Sequence, residues 1–175
     1  MAYVEPDLAW FRQLARYNQW ANRRLYAACG QLPEAEYLKK RPSFFGSIHA
    51  TLNHVLAADR LWMGRFTGHP AGIRATDQIL YPEFAGLRVA REAEDARLLA
   101  WADALDMPTL NSTLRYETLA EPVRAIASPM RLTLGHFFNH QTHHRGQAHG
   151  LLSQTAVAPP PLDLLLCWLE TAPRD

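Results

Sequence analysis

Residues 134–151 read LGHFFNHQTHHRGQAHGL, and five of the chain's eight histidines fall inside this one helical pattern. His140 and His144 are spaced i, i+4, so on a helix they stand one turn apart on the same side, where two imidazoles can share a metal ion. With roughly 100° per residue and His140 at the origin, His144 falls at about +40°, Phe137 at about +60°, Ala148 at about +80° and Leu151 at about +20°. The pair is therefore expected on the buried face. His136 and His143 fall at about −40° and −60°, on the margin of that face, and His149 at about 180°. These three read as boundary or solvated residues. Two imidazoles on an apolar stripe, with no carboxylate nearby in sequence, are costly to bury unless something coordinates or hydrogen-bonds them. From this helix alone a metal site and a pair of hydrogen-bonded core histidines satisfy the pattern equally, and a third ligand decides between them.

Residues 47–66, SIHATLNHVLAADRLWMGRF, offer one. Ser47 reads as an N-cap, and His54 lies in the second turn beside Val55, Ala58, Leu61 and Trp62, at the border of the apolar face. His49 is about 140° away round the same helix, so it cannot share an ion with His54. A lone histidine beside an apolar stripe is ordinarily a packed core residue. Together with His140 and His144 it makes three, the number that leaves a coordination position open.

Outward from these segments the chain reads as one domain over residues 1–175, with 48% apolar and 20% charged residues. A formal net charge of +1 and the lack of a long basic run exclude the electrostatic footprint of a nucleic-acid or anionic-membrane binder. Cys29 and Cys167 are far apart and in no CxxC spacing, which suits buried free thiols in a reducing compartment. The segment MAYVEPDLAWFRQ has neither a basic start nor a long apolar core, and no apolar run approaches the roughly 20 residues that cross a bilayer, so a cytoplasmic location is expected.

Pro6 and Asp7 open a helix that Gly30 stops, with Leu8, Phe11, Leu14, Ala15, Asn18, Ala21, Leu25 and Ala28 at helical spacing. A short turn led by Pro33 precedes the helix of His54, which runs to Gly68. His69 to Tyr81 reads as a loop. A third amphipathic helix spans about Pro82 to Asp106, closed before Pro108. LNSTLRYETL and EPVRAIASP suggest a small extended or hairpin insert, and the histidine helix begins near Met130 or Arg131. After prolines 159–161, LDLLLCWLE is apolar nearly all round and reads as a short final helix. The expected class is all-α, a four-helix bundle with a small insert, a setting in which facing helices commonly build metal sites.

Three blocks, YNQWAN at residues 17–22, SIHATLNHVLAADRLW at 47–62 and HFFNHQTHHRGQ at 136–147, resemble in content and order the damage-inducible DinB-like (DinB/YfiT) family of bacterial proteins. The NHxxxHRGQ element is the most specific of the three. The resemblance implies an up-down-down-up bundle and a divalent metal held by one histidine of the second helix and an HxxxH pair of the fourth. Carried over, those positions are His54, His140 and His144. The wider superfamily includes thiol-dependent isomerases and S-transferases using mycothiol or bacillithiol, and many members without an established activity, so fold alone does not choose the reaction.

Two function classes follow. In one, a three-histidine metal leaves a position for water, giving a hydrolase, or for a low-molecular-weight thiol, giving a transferase or isomerase. Zinc suits three neutral imidazoles, and nickel, iron and manganese also accept them. Gln147, at about −20°, is either a hydrogen-bond donor facing the site or a satisfied amide between helices, and Arg145, at about 140°, makes a structural pair or touches a partner subunit. In the other class the metal is structural, or the protein is a non-catalytic stress-response module, because the motif holds no Cys, Asp or Glu to serve as nucleophile or base. Direct DNA binding has little support: Trp10, Tyr17, Trp20 and Tyr26 recur at helical spacing and read as core or subunit interface rather than a base-stacking platform. Aromatic residues on several sides of the first helix, with the apolar final segment, lead to an expected homodimer.

Overall fold

The computed structural model describes residues 5–172 and is mostly helical. Among the described residues there are seven helices and one two-stranded sheet. Helix α1 (Pro6–Cys29) starts with Pro6, whose missing N–H is no loss in a first turn, and Asp7 lies favourably at the positive end of the helix dipole. After the one-turn α2 (Glu34–Leu38), α3 (Ile48–Thr67) opens on the expected cap: Ser47 Oγ accepts the Ala50 N–H at 3.0 Å. It closes at Gly68, whose φ of 72° is the left-handed conformation that glycine adopts without penalty.

Helix α4 (Phe84–Ala104) ends two residues short of the expected Asp106. Leu105 is extended, and the Asp106 carboxylate accepts the Thr109 N–H at 2.9 Å, capping the separate one-turn α5 (Met107–Leu110) with Pro108 in its first turn. Aspartate is a better cap than helix-interior residue, which is why the chain breaks there. The insert is the expected hairpin: β1 (Thr113–Glu117) pairs antiparallel with β2 (Ala125–Pro129), Arg115 opposite Ala127. Helix α6 (Met130–Leu152) carries the histidines, and α7 (Leu164–Thr171) follows the prolines. Only one face of α7 docks. Cys167 is buried against Tyr17 and Ala21, while Leu165, Trp168 and Leu169 remain exposed.

The four long helices pack in a closed ring, α1 and α3 each against both α4 and α6. Their apolar residues form two clusters. In one, Leu8 and Phe11 of α1 and Leu134 and Phe137 of α6 meet Trp62 and Met63 of α3 and Leu98 and Ala102 of α4. In the other, Leu25 of α1 and Leu151 of α6 meet Leu52 and Leu56 of α3 and Leu87 of α4. The early turns of α1 and α6 thus lie beside the late turns of α3 and α4. Each fully buried leucine or phenylalanine here contributes about 1.5–3 kcal/mol of transfer free energy.

Between the clusters runs a buried polar layer to which every long helix contributes. Arg91 of α4 donates to Asp59 of α3 at 2.5 Å and lies 3.0 Å from Asp95 one turn along its own helix. Asn18 and Asn22 of α1 donate to Asp95 and accept from Arg145 of α6, the shorter Arg145 bond being 2.6 Å. Arg145 also lies over the Tyr17 ring, 5.0 Å from its centroid. It is therefore the structural pair of the two expected roles. Burial pushes the Asp95 carboxyl up to about 6 and raises Asp59 as well, with Arg91 drawing both back down.

That layer corrects one expectation. His140 and His144 were expected on the buried face, yet both are half-buried. On the same wheel the residues of α6 that are buried centre at about +100°, the direction of Gln141 and Arg145. An apolar pattern cannot reveal a face whose centre is polar. The histidine pair lies at its edge, looking toward α3 and the outside.

Candidate metal centre

His54 comes from the second turn of α3, and His140 and His144 from consecutive turns of α6, the helix that packs against it. The ring centroids lie 4.3 Å apart for His54 and His144, 4.3 Å for His140 and His144, and 5.3 Å for His54 and His140. One nitrogen from each ring lies within 4.8 Å of the other two, so the three can hold a metal ion. The expected trio is brought together.

The hydrogen bonds select which nitrogens are left. His54 Nδ1 lies 2.8 Å from the Thr76 carbonyl, which can only accept, so Nδ1 carries the proton and Nε2 the lone pair. That Nε2 is buried and has no hydrogen-bond partner. Leaving such an atom unsatisfied costs about 1–3 kcal/mol unless a ligand takes it. His144 Nδ1 lies 2.9 Å from the Gln147 amide oxygen, which orients the ring in the same way, and the Gln147 amide nitrogen lies 3.1 Å from His143 Nε2. Of the two expected roles, Gln147 is the satisfied amide, held within its own helix: it accepts from His144 and donates to His143. Fixing the tautomer of a histidine through its second nitrogen is the usual support for a metal ligand.

Electrostatics keep the three rings neutral, the state in which imidazole ligates. Burial, then the neighbouring His144 and His54, depress His140 to about 3. Burial is also the first cause that lowers His54 and His144, against the Thr76 and Gln147 hydrogen bonds, which raise them. The Phe45 ring stacks on His54 with centroids 4.0 Å apart and meets His144 edge-on, screening that side from water.

The other histidines do not belong to the trio, although His143 lies 4.7 Å from His144 and His136 lies 5.8 Å from His140 between ring centroids. His49 is buried on another side of α3, and its Nδ1 is 3.1 Å from the Tyr37 hydroxyl. His136 packs edge-on to Trp62, and His149 is half-buried with Nε2 2.9 Å from the Pro160 carbonyl. Cys29 and Cys167 are buried, burial pushes Cys29 up to about 12, and neither lines the site.

His54 and His144 line a groove of about 780 Å³ walled by α3, the hairpin and the loops that carry Phe44, Phe45 and Thr76. Asp77 is the acidic side chain of this wall and acts electrostatically on His54. Sequence reading missed Phe45, Thr76, Asp77 and the hairpin residues Tyr116 and Leu119, because each reaches the site from a loop or insert with no periodicity or spacing of its own. His69 to Tyr81 was expected as a loop, and nothing in it marks Thr76 as the carbonyl that orients a histidine.

Comparison with known proteins places the chain in a family. The chain is similar to the Protein DinB of Bacillus subtilis (strain 168), 29% identical over 159 residues that cover 86% of this chain and 89% of the relative. The DinB family model matches residues 5–174, nearly the whole length, with all three histidines inside the match. The chain belongs to the DinB family.

Proposed function

We propose that His54, His140 and His144 hold one divalent ion, zinc by preference, and that the protein is a metal-dependent enzyme working on a small molecule in the adjoining groove. The observation that carries this reading is the buried, unpartnered Nε2 of His54 beside two further neutral imidazoles, His144 being oriented by a hydrogen bond like His54. A bound divalent ion would supply Lewis acidity, lowering the pKa of a water or a low-molecular-weight thiol held beside it. The chain's own residues do the rest. Thr76 and Gln147 hold two rings in the ligating tautomer, Phe45 covers one face, and Asp77 is the acidic group placed to accept a proton. The cysteines play no part as nucleophiles, being buried elsewhere. A hydrolase or a thiol transferase follows, according to which nucleophile occupies the groove.

The same reading takes the four long helices as the up-down-down-up bundle of one domain, supported by the way early α1 and α6 meet late α3 and α4. We place the protein in the cytoplasm as a homodimer, the exposed apolar side of α7 being what supports the second copy, and no described helix is long and apolar enough to cross a membrane.

The test is metal analysis of protein purified without an immobilised-metal column, followed by assay of the zinc-loaded and chelated forms with esters, amides and thiol–electrophile pairs. Turnover by the loaded form that chelation abolishes and zinc restores is expected. One bound equivalent of metal with no turnover of any substrate would make the ion structural and the protein a non-catalytic module. Turnover undiminished by chelation would end the metal reading.

A further inference from the structure

The groove beside the trio has a charge that the proposed metal chemistry does not use. Arg65 lies on α3, and its guanidinium carbon sits over two ring faces, 4.5 Å from the Trp62 centroid and 4.3 Å from that of Tyr116 on the hairpin. One of its five N–H groups donates to the Glu117 carbonyl at 2.7 Å. Among the described residues it has no carboxylate partner, although it is only half exposed. The two rings meet edge-on, with centroids 5.2 Å apart, so the guanidinium sits in the corner they make; partly desolvated there and with donors left over, it is a ready receptor for a carboxylate.

The rest of the wall fits such a ligand. Phe45, Trp62, Tyr116 and Leu119 supply an apolar lining. Arg74 adds a second cation, and the acidic residue, Asp77, acts on His54 and so belongs to the histidine end. A divalent ion on the trio would itself attract an anion, and Arg65 is the second attraction, a cation further along α3 with hydrogen-bond donors to spare. Arg65 follows His54 by eleven residues, about 16 Å along the axis, and the side chain leans back over Trp62 to a level about 12 Å from His54.

We propose that the groove selects an elongated carboxylate: an apolar body about 12 Å long, its carboxylate on Arg65 and its far end at the histidine trio. The assignment rests on the reading of the trio as the reactive end. It makes Arg65 a specificity-determining residue and the hairpin, which supplies Tyr116 and the Glu117 carbonyl, part of the binding site.

Calorimetry on the zinc-loaded full chain tests it, with 6-phenylhexanoate against its uncharged primary amide as probes. The acid is expected to bind at least about tenfold tighter than the amide, a preference that Arg65→Gln removes and Arg65→Lys largely keeps. A merely structural Arg65 would weaken both probes together and leave their ratio unchanged, and that result overturns the proposal. So does equal binding of acid and amide to the wild type. Zinc content is measured in parallel, and the wild type is also titrated after chelation. Preference kept without zinc supports the Arg65 site, whereas preference lost with the ion puts the carboxylate on the metal and overturns it. A chain that takes up no zinc but discriminates the probes overturns the metal reading instead, so the two failures are told apart.

Discussion

His54, His140 and His144 illustrate how little separates a candidate ligand set from a misfit: without an ion, His54 Nε2 is a buried polar atom with no partner. Changing His140 to Ala should therefore abolish stoichiometric zinc uptake, whereas His149→Ala, which alters only a bond to Pro160, should leave it intact. Gln147→Ala should weaken zinc affinity roughly 10- to 100-fold, the usual cost of losing a group that orients a ligand. Competition with a chromophoric chelator measures all three, and equal affinity in His140→Ala and His149→Ala would sink the assignment. The depressed His140 also makes a pH prediction for the metal-free protein. Above about pH 6.5 the ring is neutral in folded and unfolded chains alike and shifts nothing. Below it the unfolded chain takes up a proton that the folded one refuses until about pH 3, so stability falls as the pH drops through that window. Asp95, raised to about 6, works in the opposite sense, but it does so equally in His140→Ala. Urea midpoints should consequently fall more steeply with acidification in metal-free wild type than in that variant, and parallel profiles would refute the argument.

The pairing of elements depends on the polar layer as much as on the apolar clusters. Arg91 joins α4 to α3 through Asp59 and supports Asp95, which binds α1, and two buried carboxylates depend on that one guanidinium. Arg91→Met keeps the volume but strands both charges, and should cost about 3–5 kcal/mol in urea denaturation. A loss below about 1 kcal/mol would show that the layer tolerates the vacancy. The cost should also appear at the metal centre, because Asp59 shares α3 with His54 and the neighbouring Gln141 shares α6 with His140. Close packing at one more point is set by Gly64, where an added Cβ would come within 2.9 Å of the His69 carbonyl. That contact lays the loop carrying Thr76 onto α3, so backbone, not a flexible side chain, would have to move.

For the molecule as a whole, Leu165, Trp168 and Leu169 leave one side of α7 apolar and exposed, a face that a second copy could cover. A homodimer is the expected state, and light scattering at micromolar concentration should give twice the chain mass. A single species of monomer mass would remove that expectation. The Leu165→Glu, Leu169→Glu double variant should shift the population toward monomer if α7 lies in the interface, without loss of zinc, since neither residue approaches the trio.

Helix positions, the hairpin and the three histidines were legible in the sequence because they rest on local physics. Spacing places His140 above His144, Ser47 caps its own helix, and turn residues punctuate the rest. Belonging to the DinB family was legible for the same reason, in blocks such as NHxxxHRGQ. What only the tertiary structure decided depends on contacts between segments far apart in the chain. Thr76, 22 residues from His54, selects its tautomer. The polar partners Asn18, Asp59, Arg91 and Arg145 come from four helices, and on any one of them a buried charge looks like a solvated one. Their layer turns the buried face of α6 away from the histidine pair and leaves it half exposed, facing a groove. Hydrophobic periodicity reports the direction of apolar burial, and it is silent where a core is held together by paired charges.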